Sequence, residues 1–233
     1  MAIDLRSFTP ARVAIGRTGH SLPTSELLRF RLDHARARDA VYETLDPASL
    51  GIPHILLRSS ATDRATYLRR PDLGRRLAPG TRLERGDYDA ALVIADGLSA
   101  PAVHRHAPPL LDALLPKLAD WKLAPLCVAL QGRVAIGDEI GHGLGARLAV
   151  VLIGERPGLT SPDSLGIYVT WDPRPGRTDA ERNCISNVRT EGLSYSAAAE
   201  LLALLMNAAR ERRLTGVALQ MHESPTEPSS IGP

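Results

Sequence analysis

The stretch from Leu126 to Leu159, LCVALQGRVAIGDEIGHGLGARLAVVLIGERPGL, limits the possible folds more than any other part of the chain. Two continuous apolar runs, Leu126 to Leu130 and Leu148 to Ile153, flank a compact Gly-rich segment from Arg133 to Leu144. A half-exposed strand alternates apolar and polar residues, and these runs do not, so both faces of each strand must be covered. Two such strands joined by a short helical crossover predict a parallel α/β sheet. In sheets of that kind ligands sit beyond the carboxyl ends of the strands. The loop Glu155-Arg156-Pro157-Gly158 stands at one of those ends.

Similar patterns extend the prediction. Ala90 to Ala95 (AALVIA), Ile167 to Trp171 (IYVTW) and Gly216 to Met221 (GVALQM) read as further strands, and Ile55 to Arg58 as extended. Ala102 to Lys122 reads as a helix broken or bent around Pro108-Pro109, because proline removes a helical donor. Ser194 is placed to cap a long helix to Arg213, with Ala198, Leu201, Leu202, Leu205 and Ala209 inward. Upstream, Thr24 is placed to cap a helix in which Leu27, Phe30, Val41 and Leu45 share a face. Arg31, His34 and Arg38 fall inside that apolar stripe and must reach outward or meet a partner. Short helices are expected at Asp63 to Arg70 and Asp72 to Leu77, and a short turn or helix at Thr178 to Arg182.

The expected architecture is α/β: a Rossmann-like, mostly parallel sheet flanked by helices, with a small N-terminal helical domain. The expected parts are an extended arm (residues 1–22), a helical N-terminal domain (23–86), a Rossmann-like domain (87–221) and a disordered tail (222–233). With 44% hydrophobic residues and only 4% aromatic, the core must be built from Leu, Val, Ile and Ala. A net charge of +2 is mild, and the N-terminal arginines lack the interleaved aromatics of a nucleic-acid face. No apolar run approaches the ~20 residues of a membrane span. Cys127 and Cys184 form no CxxC pair, and no signal peptide precedes them, so a reduced cytoplasmic chain is expected.

Several residues could carry chemistry. The glycines at 137, 141, 143 and 145 lack the G-x-G-x-x-G spacing of a dinucleotide loop and fit tight helix–sheet packing as well as a ligand. Asp96, Ser99 and His104 or His106 could form a nucleophile constellation, although Gly97-Leu98-Ser99-Ala100-Pro101 lacks the final glycine of a nucleophile elbow. Ser99 is the better helix cap. Asp138 and His142, four apart, suit an ion pair on the helix surface. The scattered histidines offer no metal-binding spacing. Glu155 is a carboxylate able to accept hydrogen bonds at a strand's carboxyl end, and Cys184 lies in the polar run Asn183 to Asn187. A self-sufficient α/β nucleotide-binding or hydrolytic enzyme is the alternative these residues leave open.

Six stretches in order carry a family resemblance. They are SLPTSELLRFRLDHARARDAV (Ser21 to Val41), RSSATDRATYLRRPDLGRRL (Arg58 to Leu77), DAALVIADGLSA (Asp89 to Ala100), RVAIGDEIG (Arg133 to Gly141), GERPGL (Gly154 to Leu159) and NCISNVR (Asn183 to Arg189). Together they resemble the small subunit, or light chain, of the adenosylcobalamin-dependent ethanolamine ammonia-lyases. The resemblance runs from Gly16 to Leu219 and implies much of the biology. The family's large subunit is a barrel that binds ethanolamine and carries the radical chemistry, giving acetaldehyde and ammonia. The small subunit covers the cobalamin at its corrin edge and nucleotide side. The matching cobalamin positions are Val134, Glu155 and Cys184. The resemblance implies six large and six small subunits, no catalytic residue from this chain, and no contact with ethanolamine. A cobalt-ligating D-x-H-x-x-G motif is absent, because Asp138 and His142 have another spacing. Some members carry a longer leader linked with packaging in a bacterial microcompartment; here a short arm precedes Ser21.

Overall fold

The computed structural model describes residues 19–219 together with Phe8, Val13 and Ile15. Most of the expected arm and the expected tail lie outside the described residues. Among the described residues the fold is α/β, with a mixed sheet of six strands. The strands are β1 (Ile55–Arg58), β2 (Tyr88–Ala95), β3 (Cys127–Leu130), β4 (Ala146–Gly154), β5 (Leu165–Trp171) and β6 (Arg182–Val188). Their order across the sheet is β1-β3-β2-β4-β5-β6. The first four run parallel, while β5 and β6 are antiparallel additions. The two apolar runs that opened the sequence reading are β3 and β4. They are parallel to each other but not adjacent, because β2 lies between them.

Residue alternation divides the core into two layers. Leu92 and Ile94 of β2, with Leu148, Val150 and Leu152 of β4, face helices α3 (Ala100–Leu114) and α5 (Tyr195–Arg212). Ala91, Val93, Val151 and Ile153 face α4 (Ile136–Leu144) instead. Both faces of β2 and β4 are therefore dry, which is why neither sequence alternates. The Gly-rich composition of α4 has a packing cause. A Cβ on Gly137 would stand 2.2 Å from Val151 Cγ2, so glycine lets the helix press directly onto β4.

The helix after β2, α3, covers one face, and the helix after β3, α4, covers the other. Neighbouring strands thus send their connections to opposite sides, and this opens a crevice at their carboxyl ends.

Several local expectations change. Ser99 and Ser194 cap α3 and α5 as expected, but Pro23 rather than Thr24 precedes α1 (Thr24–Tyr42), with no side-chain cap. Ala40 is the buried residue of α1; Leu28, Phe30 and Leu32 are exposed, and so are Arg31, His34 and Arg38. That helix lies on the body rather than in a core of its own, so its apolar stripe does not have to close. Helix α3 continues through Pro108-Pro109, then tightens into a 3-10 turn at Leu115–Leu118. On α5, Leu201 is exposed and Met206 is buried in its place. The region expected to be a closing strand forms a 3-10 turn at Gly216–Ala218, and its last two residues lie outside the described residues. The polar run Asn183 to Asn187 is strand, within β6.

Asp138 does not pair with His142 on the surface. It is buried and grips Arg182 through both carboxylate oxygens, at 2.6 and 2.7 Å. Segment 23–86 joins the sheet as well, since β1 is hydrogen-bonded along β3 as an edge strand. It also supplies helix α2 (Arg64–Arg69), capped by the Asp63 side chain.

Candidate functional site

The crevice at the strand ends has a volume of about 380 Å³. Its walls come from the turn after β2 (Gly97, Leu98), the turn after β3 (Arg133, Val134), and the end of β4 (Ile153 to Arg156). Tyr67 of α2 and Tyr168 of β5 complete it. The floor depends on two backbones passing very close together. Gly97 has φ +56°, and a Cβ there would stand 2.2 Å from the Gly154 carbonyl oxygen. Leu98 N–H donates to that same carbonyl at 3.0 Å. Only glycine combines the left-handed conformation with this approach.

Glu155 is the first residue beyond β4. Its backbone N–H donates to the Ser164 carbonyl at 2.9 Å, and the Ser164 hydroxyl donates to its Oε2. Asn187 N–H is a longer donor to Oε2, at 3.4 Å. Oε1 has no hydrogen-bond donor among the described residues. The carboxylate is therefore fixed by one oxygen and open to a donor at the other.

Val134 lines the same crevice and offers an apolar side chain before α4, with its carbonyl accepting Gly137 N–H at 3.1 Å. Cys184 is not part of the wall. It is exposed on β6, directly across the strand pair from Tyr168, and its thiol lies 3.2 Å from the Ser186 hydroxyl. Val134 and Glu155 thus share one crevice, and Cys184 reaches its rim through Tyr168. Burial, with Cys184 alongside, pushes the Tyr168 phenol above its ordinary range, so it is a neutral donor there.

Arg156 belongs to the loop that the sequence marked as a ligand site, but sequence reasoning missed three wall residues: Tyr67, Arg133 and Tyr168. Arg133 adjoins Val134, so position in the chain was an available signal. Tyr67 was not accessible that way. It is fully buried, donates to the Gly132 carbonyl at 3.1 Å, and carries guanidiniums near its ring, Arg133 at 4.3 Å and Arg64 at 4.7 Å. The contacts with Gly132 and Arg133 join segments far apart in sequence.

The residues of the hydrolytic alternative have other partners. Asp96 accepts N–H groups from Gln131 (3.0 Å) and Gly132 (2.9 Å) and faces Arg64 at 3.3 Å. Ser99 caps α3 and donates to the Pro162 carbonyl at 2.9 Å. His106 is buried between the Tyr195 hydroxyl (2.9 Å) and the Asp163 carbonyl (2.7 Å), and His104 meets Asp46 N–H at 3.0 Å. Neither histidine is hydrogen-bonded to Ser99, so this group holds the scaffold together and does not assemble a nucleophile with its base.

Comparison with known proteins completes the picture. Residues 2–220 match the family model described as Ethanolamine ammonia-lyase light chain (EutC). The ethanolamine ammonia-lyase small subunit of Azotobacter vinelandii is 58% identical over 93% of this chain and 87% of its own length. Those of Xanthomonas campestris pv. campestris and Ralstonia nicotianae are each 54% identical, over 93% of this chain and 86% of theirs. A family match over nearly the whole length, with the motif stretches in order along one α/β chain, places this chain in the ethanolamine ammonia-lyase light-chain family.

Proposed function

We propose that this chain is the cobalamin-covering half of an adenosylcobalamin-dependent ethanolamine ammonia-lyase, active only with a large subunit. Together the two subunits would convert ethanolamine to acetaldehyde and ammonia in an assembly of six large and six small subunits. In this reading residues 87–221 are the Rossmann-like cobalamin-binding part. Residues 23–86 are the smaller part, contributing Tyr67 and the edge strand. The chain works in the cytoplasm.

One observation carries the proposal. Glu155 presents a carboxylate oxygen with no donor among the described residues, in an open crevice shared with the apolar Val134 and with Tyr168, the strand partner of Cys184. Cobalamin fits that donor set, because its corrin carries amide side chains whose N–H groups need acceptors. Glu155 would take such an amide, Val134 would pack against the macrocycle edge, and Cys184 would close the rim. Bound cofactor supplies a cobalt–carbon bond that breaks homolytically, and the protein's part is binding, orientation and closure. Glu155, Val134 and Cys184 would hold the cofactor and exclude water from one side of it, leaving substrate to the large subunit.

The test is co-expression with the large subunit, followed by mass measurement, a visible spectrum with cobalamin, and an ammonia-release assay. The isolated chain should release no ammonia. The complex should release it, and Glu155→Ala should weaken cofactor affinity while leaving ethanolamine affinity unchanged at saturating cofactor. Ammonia release or nucleotide hydrolysis by the isolated chain would overturn the reading.

A further inference from the structure

The loop from Glu155 to Ser164 leaves β4 and returns to β5, and its two limbs are held differently. Its ends are tied to each other, Glu155 N–H to the Ser164 carbonyl and the Ser164 hydroxyl to the Glu155 carboxylate. Its tip closes on itself, with Gly158 N–H donating to the Ser161 carbonyl at 3.0 Å. The outgoing limb carries Glu155 and Arg156 along the crevice. The returning limb is anchored from the opposite layer. Ser99 Oγ donates to the Pro162 carbonyl at 2.9 Å, His106 Nε2 meets the Asp163 carbonyl at 2.7 Å, and Arg105 pairs with the Asp163 carboxylate. All three anchors are on α3 or its cap.

His106 is 1% exposed and sits on the core face of α3, among Val103, Ala107 and Leu110. A histidine there is costly unless both ring nitrogens are satisfied. Both are. A carbonyl can only accept, so Nε2 carries the hydrogen toward Asp163, and Nδ1 accepts from the Tyr195 hydroxyl at the start of α5. The neutral ring therefore bridges α3, α5 and the loop. It does not line the crevice.

Resting on the cobalamin reading above, we propose that His106 is a positioning residue for the cofactor site. By fixing Asp163 it sets where the Ser164 hydroxyl stands, and so which way the Glu155 carboxylate points. Ser99 supports the same limb one residue earlier. The two residues that looked like parts of a hydrolase in the sequence thus act on a binding carboxylate from behind.

The test is a double-mutant cycle on adenosylcobalamin affinity, measured by visible titration of the co-expressed complex. His106→Leu keeps apolar volume but loses the donor, and should weaken affinity by about tenfold, the scale of one misdirected charge-assisted hydrogen bond. His106→Gln restores an Nε2 donor and should stay within about twofold of the parent. In a Glu155→Ala background His106→Leu should have no further effect, because the group it orients is gone. Ser164→Ala, a small change that leaves the His106 cluster in place, should repeat the loss and be non-additive with His106→Leu. Additive losses in the Glu155→Ala background, or a Ser164→Ala complex with parental affinity, would overturn the inference. Parental affinity in Glu155→Ala itself would instead sink the underlying reading of Glu155, and the two failures are distinguishable.

Discussion

Asp138 of α4 and Arg182 of β6 form a two-pronged ion pair almost wholly withdrawn from solvent, with side chains 3% and 2% exposed. Arg182 also donates to Thr170 Oγ1 and to the Arg177 carbonyl, each at 2.9 Å. The pair pins the helix that carries the Val134 turn to the antiparallel edge of the sheet. Removing one partner strands a buried charge, so Asp138→Asn should lower unfolding stability by about 3–5 kcal/mol, read from urea denaturation. Replacing both, as Asp138→Leu with Arg182→Met, should recover most of that loss. A single variant as stable as the parent would show that the pair is not buried in solution.

Gly97 gives a second prediction. Its positive φ and its approach to the Gly154 carbonyl leave no room for a side chain. Gly97→Ala should cost about 1–3 kcal/mol of stability from strain alone. It should also widen the crevice floor, weakening cofactor binding in the complex beyond what the stability loss produces. Measuring both quantities on one preparation separates the effects; unchanged affinity would mean that the floor does not shape the site.

The two thiols should differ sharply. Cys127 is fully buried in β3, and burial pushes its thiol up to about 11, leaving roughly a thousandth as thiolate at pH 8. Cys184 is exposed on β6. Iodoacetamide at pH 8 should label one cysteine per chain, with Cys184 in the modified peptide, and Cys184→Ser should abolish labelling. In the complex with the large subunit, adenosylcobalamin should slow that labelling at least tenfold. Equal rates with and without cofactor would remove Cys184 from the rim.

The central strands were legible because β2, β4 and most of β5 are covered on both faces and read as continuous apolar runs. β6 was not. Its buried residues Arg182, Ile185 and Val188 stand three apart: Arg182 and Ile185 are in regular register on opposite faces, and a register irregularity against β5 separates Ile185 from Val188, so no period-two signal survives. The GVALQM run misled in the opposite direction. It is apolar, but Gly216 bonds to the side chain of Asn183, donating to Oδ1 at 2.7 Å and accepting from Nδ2 at 3.2 Å, and Gly216–Ala218 closes as a 3-10 turn. Glu155 could be found because a carboxylate just past a buried strand stands out. The exposure of α1 and the approach of Tyr67 to Gly132 depend on tertiary contacts, which no local pattern encodes.

The turn after β5 should loosen in acid. Glu181 accepts from Thr178 N–H at 2.8 Å and Thr178 Oγ1 at 3.0 Å, and pairs with Arg177. These donors, the Thr178 amide foremost, favour the ionised form and hold the carboxyl at about 2 instead of an ordinary 4.5. A carboxyl whose folded value lies below its unfolded one stabilises the fold above the unfolded value. That contribution disappears as the pH falls toward the folded one. The capping turn should therefore be intact above pH 4.5 and loosen progressively between there and pH 2. Other carboxyls, including those of Asp63 and Asp72, are also depressed, so global denaturation would mix their effects. A residue-specific carboxyl titration by carbon NMR isolates this one, with an expected midpoint near 2 and a parallel shift of the Thr178 amide. Glu181→Gln should leave the Thr178 amide insensitive to pH in that window. A midpoint at the ordinary glutamate value would show that the cap does not hold the charge.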